Sequence, residues 1–238
     1  MATTLTNHQR AARSTVAMKA IMAVTGLCLI GFLLMHMFGN TKLLLPDNGA
    51  EFNEYSHYLR QFLYPIVPPM WFLWAFRIFL LAAIVLHMWS AAQLAGRKQR
   101  NVGGARYANK KNMESSFAAR TMLWSGIILV LGLVLHLLHY TAQVLRPGYP
   151  DGAADLSPYA RVIAGFTLWW VVLAYLVFMI AVCLHIYHGC ASAFVTLGAN
   201  VSAGSRKLLK TLSAIIAVLL FIGFMVPPVM ILTGVIGQ

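Results

Sequence analysis

Six of the eight histidines, His36, His87, His136, His139, His185 and His188, lie in strongly apolar stretches of this chain. A neutral imidazole presents a nitrogen lone pair to a metal and can also relay a proton, so histidines in such settings point to metal ligation, haem ligation or proton transfer. The densest of these stretches is CLHIYHGC at 183–190, two cysteines bracketing two histidines. As a metal clip it fails on geometry. The run around it, 163–196, has no proline and is far too long for a buried strand, so it reads as one helix. At about 100° per residue, Cys183 and Cys190 share one line of that helix, while His185 and His188 lie on the opposite side. The four side chains cannot reach one ion.

The elements that position these residues follow from composition. Only 10% of the residues are charged and 60% are hydrophobic, with a mean hydropathy of +0.73. A soluble domain carries about 25% charged residues, so this chain cannot cover a surface in water. Five apolar runs are long enough to cross a bilayer, which takes roughly 20 residues each. They lie near 18–39, 70–95, 121–143, 163–196 and 210–236. The expected fold is an all-α membrane protein of five transmembrane helices in a single domain, 1–238. The first run is too long for a signal-peptide core and has no clear small-residue cleavage site, so it reads as a span. Cys28, Cys183 and Cys190 all sit in apolar runs and imply no disulfide framework. No internal repeat stands out.

The net charge of +12 is unevenly placed. The N-terminal segment, the connection 97–120 and the connection before the fifth run share thirteen cations and one anion, whereas the opposite side has five of each. Lys and Arg are retained on the cytoplasmic side, which predicts an N-terminus inside and a C-terminus outside. Five spans weigh against nucleic-acid binding as the reason for the basic charge. An acidic soluble partner or anionic membrane lipid suits the basic loops better. Between the first two spans, EFNEYSHYLRQF puts Phe52, Tyr55, Leu59 and Phe62 on one face of a short helix, expected to lie flat on the outer surface.

Depth sorts the histidines. His36 lies near the outward end of the first span, and His136 lies about 15 residues, roughly 22 Å, into the third. His87 and His185 lie about eight and eleven residues from the inward ends of the second and fourth, roughly 12–16 Å. His36 and His136 thus share an outer level, and His87 and His185 an inner one. Two histidines facing each other between helices is how a bundle holds a b-type haem, so two such levels imply two stacked haems. Gly31, Gly126 and Gly132 would let helices and macrocycles approach closely. A single intramembrane histidine often serves only as an interhelical hydrogen-bond partner, but four on four successive helices at two depths favour ligation. Zinc is disfavoured, because neither level has a carboxylate or thiolate partner.

The segments AVTGLCLIGFLLMHMFGNTKLL, RIFLLAAIVLHMWSAAQL, SGIILVLGLVLH and LHIYHGCASAFVTLG, in this order, resemble the single-polypeptide, five-helix, di-haem cytochrome b anchor of succinate:quinone oxidoreductases, respiratory complex II. The resemblance covers essentially the whole chain. It implies a bundle of the first four helices holding two haem b groups, with His36, His87, His136 and His185 as iron ligands. It leaves His188 to a haem propionate, to the iron–sulfur subunit or to a structural role. Arg77 or Arg60 would suit the propionates of the outer haem. The implied partners are a flavoprotein subunit, an iron–sulfur subunit, membrane lipid and a quinone, by implication menaquinone, in a bacterial cytoplasmic membrane. The chain has no nucleophile constellation, nucleotide loop or flavin motif, so it is expected to act only within its complex.

Some di-haem fumarate reductases carry a glutamate two residues before the ligand histidine of the fourth helix. Cys183 stands at that place, which favours succinate oxidation over fumarate reduction. Three other readings stay open: a fumarate reductase anchor, a haem-free or iron–sulfur-carrying anchor, and a small transporter with a histidine proton relay. The transporter would not need histidines matched in depth.

Overall fold

The computed structural model describes residues 14–101, 117–150, 155–199 and 202–237, without the side chains of 98–101 and 117–120. Arg10, Arg13, Arg106, Lys110, Lys111, Glu114 and Asp151 lie outside them, as do the side chains of Lys98, Arg100 and Arg120.

Five helices are long and apolar enough to cross a membrane, over Thr15–Leu44, Trp71–Arg97, Thr121–Thr141, Trp169–Thr196 and Ala203–Leu232. Helix is the expected form there, because in a bilayer each backbone N–H and C=O needs a partner within its own segment. The helices are α1 (Thr15–Thr41), α2 (Ala50–Gln61), α3 (Trp71–Asn101), α4 (Phe117–His136), α5 (Pro158–Phe166), α6 (Trp169–Thr196) and α7 (Ala203–Leu232). Local signals set their starts. The Ser14 hydroxyl accepts from the Ala17 N–H at the head of α1, and Ser202 and Ser205 form a reciprocal capping box at the head of α7.

The short helix expected between the first two spans forms as α2, and its entry is fixed by Asp47. The two carboxylate oxygens of Asp47 accept from the N–H groups of Gly49 and Glu51, at 2.9 and 2.8 Å. Gly49 has φ +80° with the Tyr159 ring packed against it, so a side chain there would meet both strain and collision. Phe52 joins the core beside Leu43, and the Tyr55 ring covers Gly39 at the end of α1.

One boundary differs from expectation. The apolar run 163–196 is two helices, not one: α5 ends at Phe166, Leu168 is extended, and α6 starts at Trp169. The Thr167 hydroxyl donates to the Ala164 carbonyl at 2.8 Å, closing the last turn of α5. The extra length of the fourth run is thus a separate helix, tied to α2 by the Tyr159 N–H donating to Asn53 Oδ1 at 3.0 Å.

The packing is organised around α6, which contacts α7, α4 and α1. Met179, Val182, Ile186 and Cys190 of α6 share one core with Leu220, Met225 and Ile231 of α7. The spans of α1, α3 and α4 bury very little of their apolar surface inside the protein. Large exposed side chains such as Ile78, Val85, Trp124 and Leu131 cover their outward faces; lipid is the solvent that suits such a surface. The first four spans form two hairpins, α3 along α1 and α4 along α6, with no comparable seam between α3 and α4 among the described residues.

Candidate functional site

The structure brings the four depth-matched histidines together as two pairs. His36 of α1 meets His136 of α4 with ring centroids 5.9 Å apart and planes at 81°. His87 of α3 meets His185 of α6 at 6.2 Å and 60°. Each pair joins one hairpin to the other. The levels are separated by about eleven residues of α1 and of α4, roughly 16 Å of helix rise. A metal–imidazole bond is about 2 Å, so two imidazoles binding one ion from opposite sides hold their centroids roughly 6 Å apart. Both pairs have that separation.

The surroundings of the pairs differ. At the His87–His185 level, His87 Nδ1 lies 3.0 Å from the Met22 carbonyl and 3.3 Å from Thr25 Oγ1 of α1. His185 Nδ1 lies 3.3 Å from Ser125 Oγ of α4. Gly26 backs the His87 ring, where a Cβ would stand 3.1 Å from Cε1, and Gly126 backs His185, where it would stand 3.8 Å away.

The His36–His136 level is walled by aromatic rings. Phe32 stacks on His36 at 5.3 Å and 17°, and Phe224 of α7 tilts against it at 5.6 Å. Contacts continue outward from Phe32 through Phe76, Phe72 and Phe62 to the exposed Tyr58. On the other side Tyr175 of α6 sets its hydroxyl 3.5 Å from His136 Nδ1 and 3.2 Å from His139 Nδ1.

His139 is thus a neighbour of the His36–His136 pair, the level farther from the basic end of the bundle (the far level), and not a member of it. The last turn of α4 opens into a π-helix, Leu137–Thr141, which carries His139 and Tyr140 into the core. Their rings stack at 3.9 Å, and His139 Nε2 and Tyr140 Oη have no hydrogen-bond partner. Of the other expected site residues, His188 lies within electrostatic reach of His185, whereas Arg77 stands apart from both pairs. Arg77 lies over the Trp74 ring at 5.0 Å, and His188 is half-buried on α6 within electrostatic reach of Lys210 of α7. The Cys183 thiol donates to the Ala217 carbonyl of α7 at 3.2 Å, and Cys190 is buried in the α6–α7 core. The cysteines therefore face α7 and His185 faces α3, as the helical wheel requires. Among the described residues no three His, Cys, Asp or Glu side chains converge on a point.

Sequence reading found the histidines and missed what holds them. The missed signal is an internal repeat. Thr25-Gly26, nine residues and His36 on α1 recur as Ser125-Gly126, nine residues and His136 on α4. Leu86-His87 followed by Met88 and Trp89 on α3 recurs as Leu184-His185 followed by Ile186 and Tyr187 on α6. The two hairpins are two copies of one pattern running the same way across the bundle, and each histidine pair joins equivalent positions of the copies.

No protein-family model, curated protein or solved structure matches this chain. The fold and site define it as an all-helical bundle, with five helices able to cross a membrane and two stacked histidine pairs between its hairpins.

Proposed function

We propose that this chain is the membrane anchor and cytochrome b subunit of a succinate:quinone oxidoreductase. It would receive electrons from an iron–sulfur subunit and deliver them, by way of two b haems, to a membrane quinone, menaquinone in a bacterial cytoplasmic membrane. The observation that carries this reading is the pair of histidine pairs, each at axial-ligand separation, stacked on two levels. A proton relay would call for neither the repeated spacing nor the separation. The donor chemistry fits: two neutral imidazole nitrogens at each level, and no thiolate or carboxylate to favour zinc. Haem bound there would supply one-electron carriage.

The remaining work belongs to the protein. His87 and His185 would hold the iron at the level nearer the basic end of the bundle (the basic level), and His36 and His136 the iron at the far level. Among the described residues α3 and α4 share no seam like those within the hairpins, and a flat macrocycle would sit between the hairpins. Phe32, Phe224 and the rings beyond keep water from the far level, which sets the dielectric and hence the potential there. The basic end, facing the cytoplasm, would dock the acidic face of an iron–sulfur subunit that a flavoprotein supplies with electrons. The Cys183 thiol is committed to the Ala217 carbonyl and adds no carboxylate to the bundle, which supports the succinate-oxidising direction over a fumarate reductase. The separation of Cys183 and Cys190 from His185 weighs against an intramembrane iron–sulfur cluster.

The test is a redox-titrated optical spectrum and pyridine haemochrome of the purified complex. Two low-spin b haems per chain are expected. His36→Ala and His136→Ala should each remove the same spectral component, and His87→Ala and His185→Ala the other. A purified complex without haem, or four variants that all keep both components, would overturn the reading.

A further inference from the structure

The hydroxyls of Thr25 and Ser125 occupy equivalent places in the two copies of the repeat, and each meets the imidazole of the opposing helix in its own hairpin at 3.3 Å. A serine or threonine in an apolar helix satisfies its own hydroxyl by donating to a carbonyl three or four residues back and needs nothing further. Both residues do this. Thr25 Oγ1 donates to the Ile21 carbonyl at 2.7 Å, and Ser125 Oγ donates to the Met122 carbonyl at 3.0 Å. A hydroxyl has one proton, and in both residues it is spent on the helix. Toward the histidine each oxygen can only accept.

The consequence is a preferred tautomer. The Met22 carbonyl, an acceptor only at 3.0 Å, puts the His87 proton on Nδ1, and Ser125, with its own proton given to the Met122 carbonyl, favours the same tautomer in His185. Nε2 is then an unprotonated lone pair in both rings, the form a metal binds. The glycine that follows each hydroxyl residue lets the ring lie close against the helix.

We infer that Thr25 and Ser125 are positioning residues: Ser125 sets the tautomer and orientation of His185, Thr25 supports those that the Met22 carbonyl gives His87, and together they tune the metal centre at the His87–His185 level alone. The inference rests on the di-haem reading above. An Nδ1–H donating to oxygen makes the imidazole a stronger electron donor, which favours ferric iron and lowers the potential. At the far level no such acceptor is built in. His136 has only the longer contact to Tyr175, 3.5 Å away.

The experiment uses the purified complex with full-length chain in the His36→Ala background, so that one haem remains and its assignment is unambiguous. Thr25→Val keeps the side-chain shape and removes the oxygen; Ser125→Ala removes it on the other hairpin; Thr25→Ser and Ser125→Thr restore it. Haem content should stay at the background level. The midpoint potential of the remaining haem should rise in Ser125→Ala and return in Ser125→Thr; Thr25→Val, which leaves the Met22 carbonyl as an acceptor for His87, should raise it less, and the double variant should show the largest rise. The ferric low-spin EPR signal should shift in step. An unchanged midpoint and EPR signal in the double variant, with haem still bound, would overturn the inference and leave the di-haem reading intact. A His36→Ala complex that never contained haem would overturn the reading itself, and the inference with it.

Discussion

Gly126 and Gly132 lie on neighbouring turns of α4 and serve different neighbours. Gly126 backs His185, whereas the Phe178 ring of α6 fills the notch at Gly132, so that glycine serves helix packing and not a macrocycle. Gly31, the third glycine expected to admit a haem, faces open space. A Cβ at residue 132 would overlap the Phe178 ring, and both helices would have to shift. Gly132→Ala should therefore cost about 1–3 kcal/mol, the usual range for overpacking. It should lower the thermal unfolding temperature in detergent, while Gly189→Ala, whose Cβ would meet Met122 at 4.0 Å, should not. The paired histidines were legible because an ionisable group in an apolar run stands out against its background. Thr25, Ser125 and Tyr175 were not. Serine and threonine close their own hydrogen bonds in a helix and leave no mark, so only the repeat, read together with the facing ring, gives them meaning.

The helices themselves were legible in number and nearly in extent, since a continuous apolar run leaves few alternatives in a bilayer. The break at Thr167–Leu168 was hidden because α5 is apolar for a different reason: Val162 and Phe166 are buried against protein. Hydropathy does not separate a helix buried in protein from one facing lipid when no proline marks the joint. The surface helix α2 was legible, but its face divides in two. Phe52 and Tyr55 dock it to the core and to α1, and only Phe62 enters the ring series that leads through Phe72, Phe76 and Phe32 to His36. Phe62→Ser should open that series to water and shift the midpoint potential of the far-level haem, leaving the basic-level one in place. Phe52→Ser should instead loosen α2 and raise its protease sensitivity. Potentiometry with limited proteolysis separates the two; equal shifts at both haems would mean general loosening of the bundle.

At the scale of the whole molecule the charge is divided between the two ends. The described part of the basic end includes Arg97, whose guanidinium donates to the Thr15 hydroxyl at 3.2 Å and so ties the end of α3 to the start of α1. Lys98 and Arg100 extend that end in sequence. Reversing these two to Glu, with Arg97 kept, should release the soluble subunits at moderate salt, because steering and docking by exposed charge weaken as the Debye length shrinks. Size-exclusion chromatography across a salt series measures this. A complex that stayed whole with full succinate-to-quinone activity would leave the charges as topology signals only. Reporter fusions at the two termini check the orientation, with the N-terminus expected inside and the C-terminus outside.

Because each histidine pair draws one member from each hairpin, neither copy of the repeat owns a complete site. Haem insertion would then inspect assembly, because both histidines that would hold an iron are in place only once α1–α3 and α4–α6 are set in register. A chain stalled after its third helix holds His36 and His87 with nothing opposite either, and on the di-haem reading it would take up no haem. Cutting the gene between codons 108 and 109 should give two fragments, each colourless when made alone. Produced together they should recover both b-type spectra, with the cofactors acting as the clasps between them.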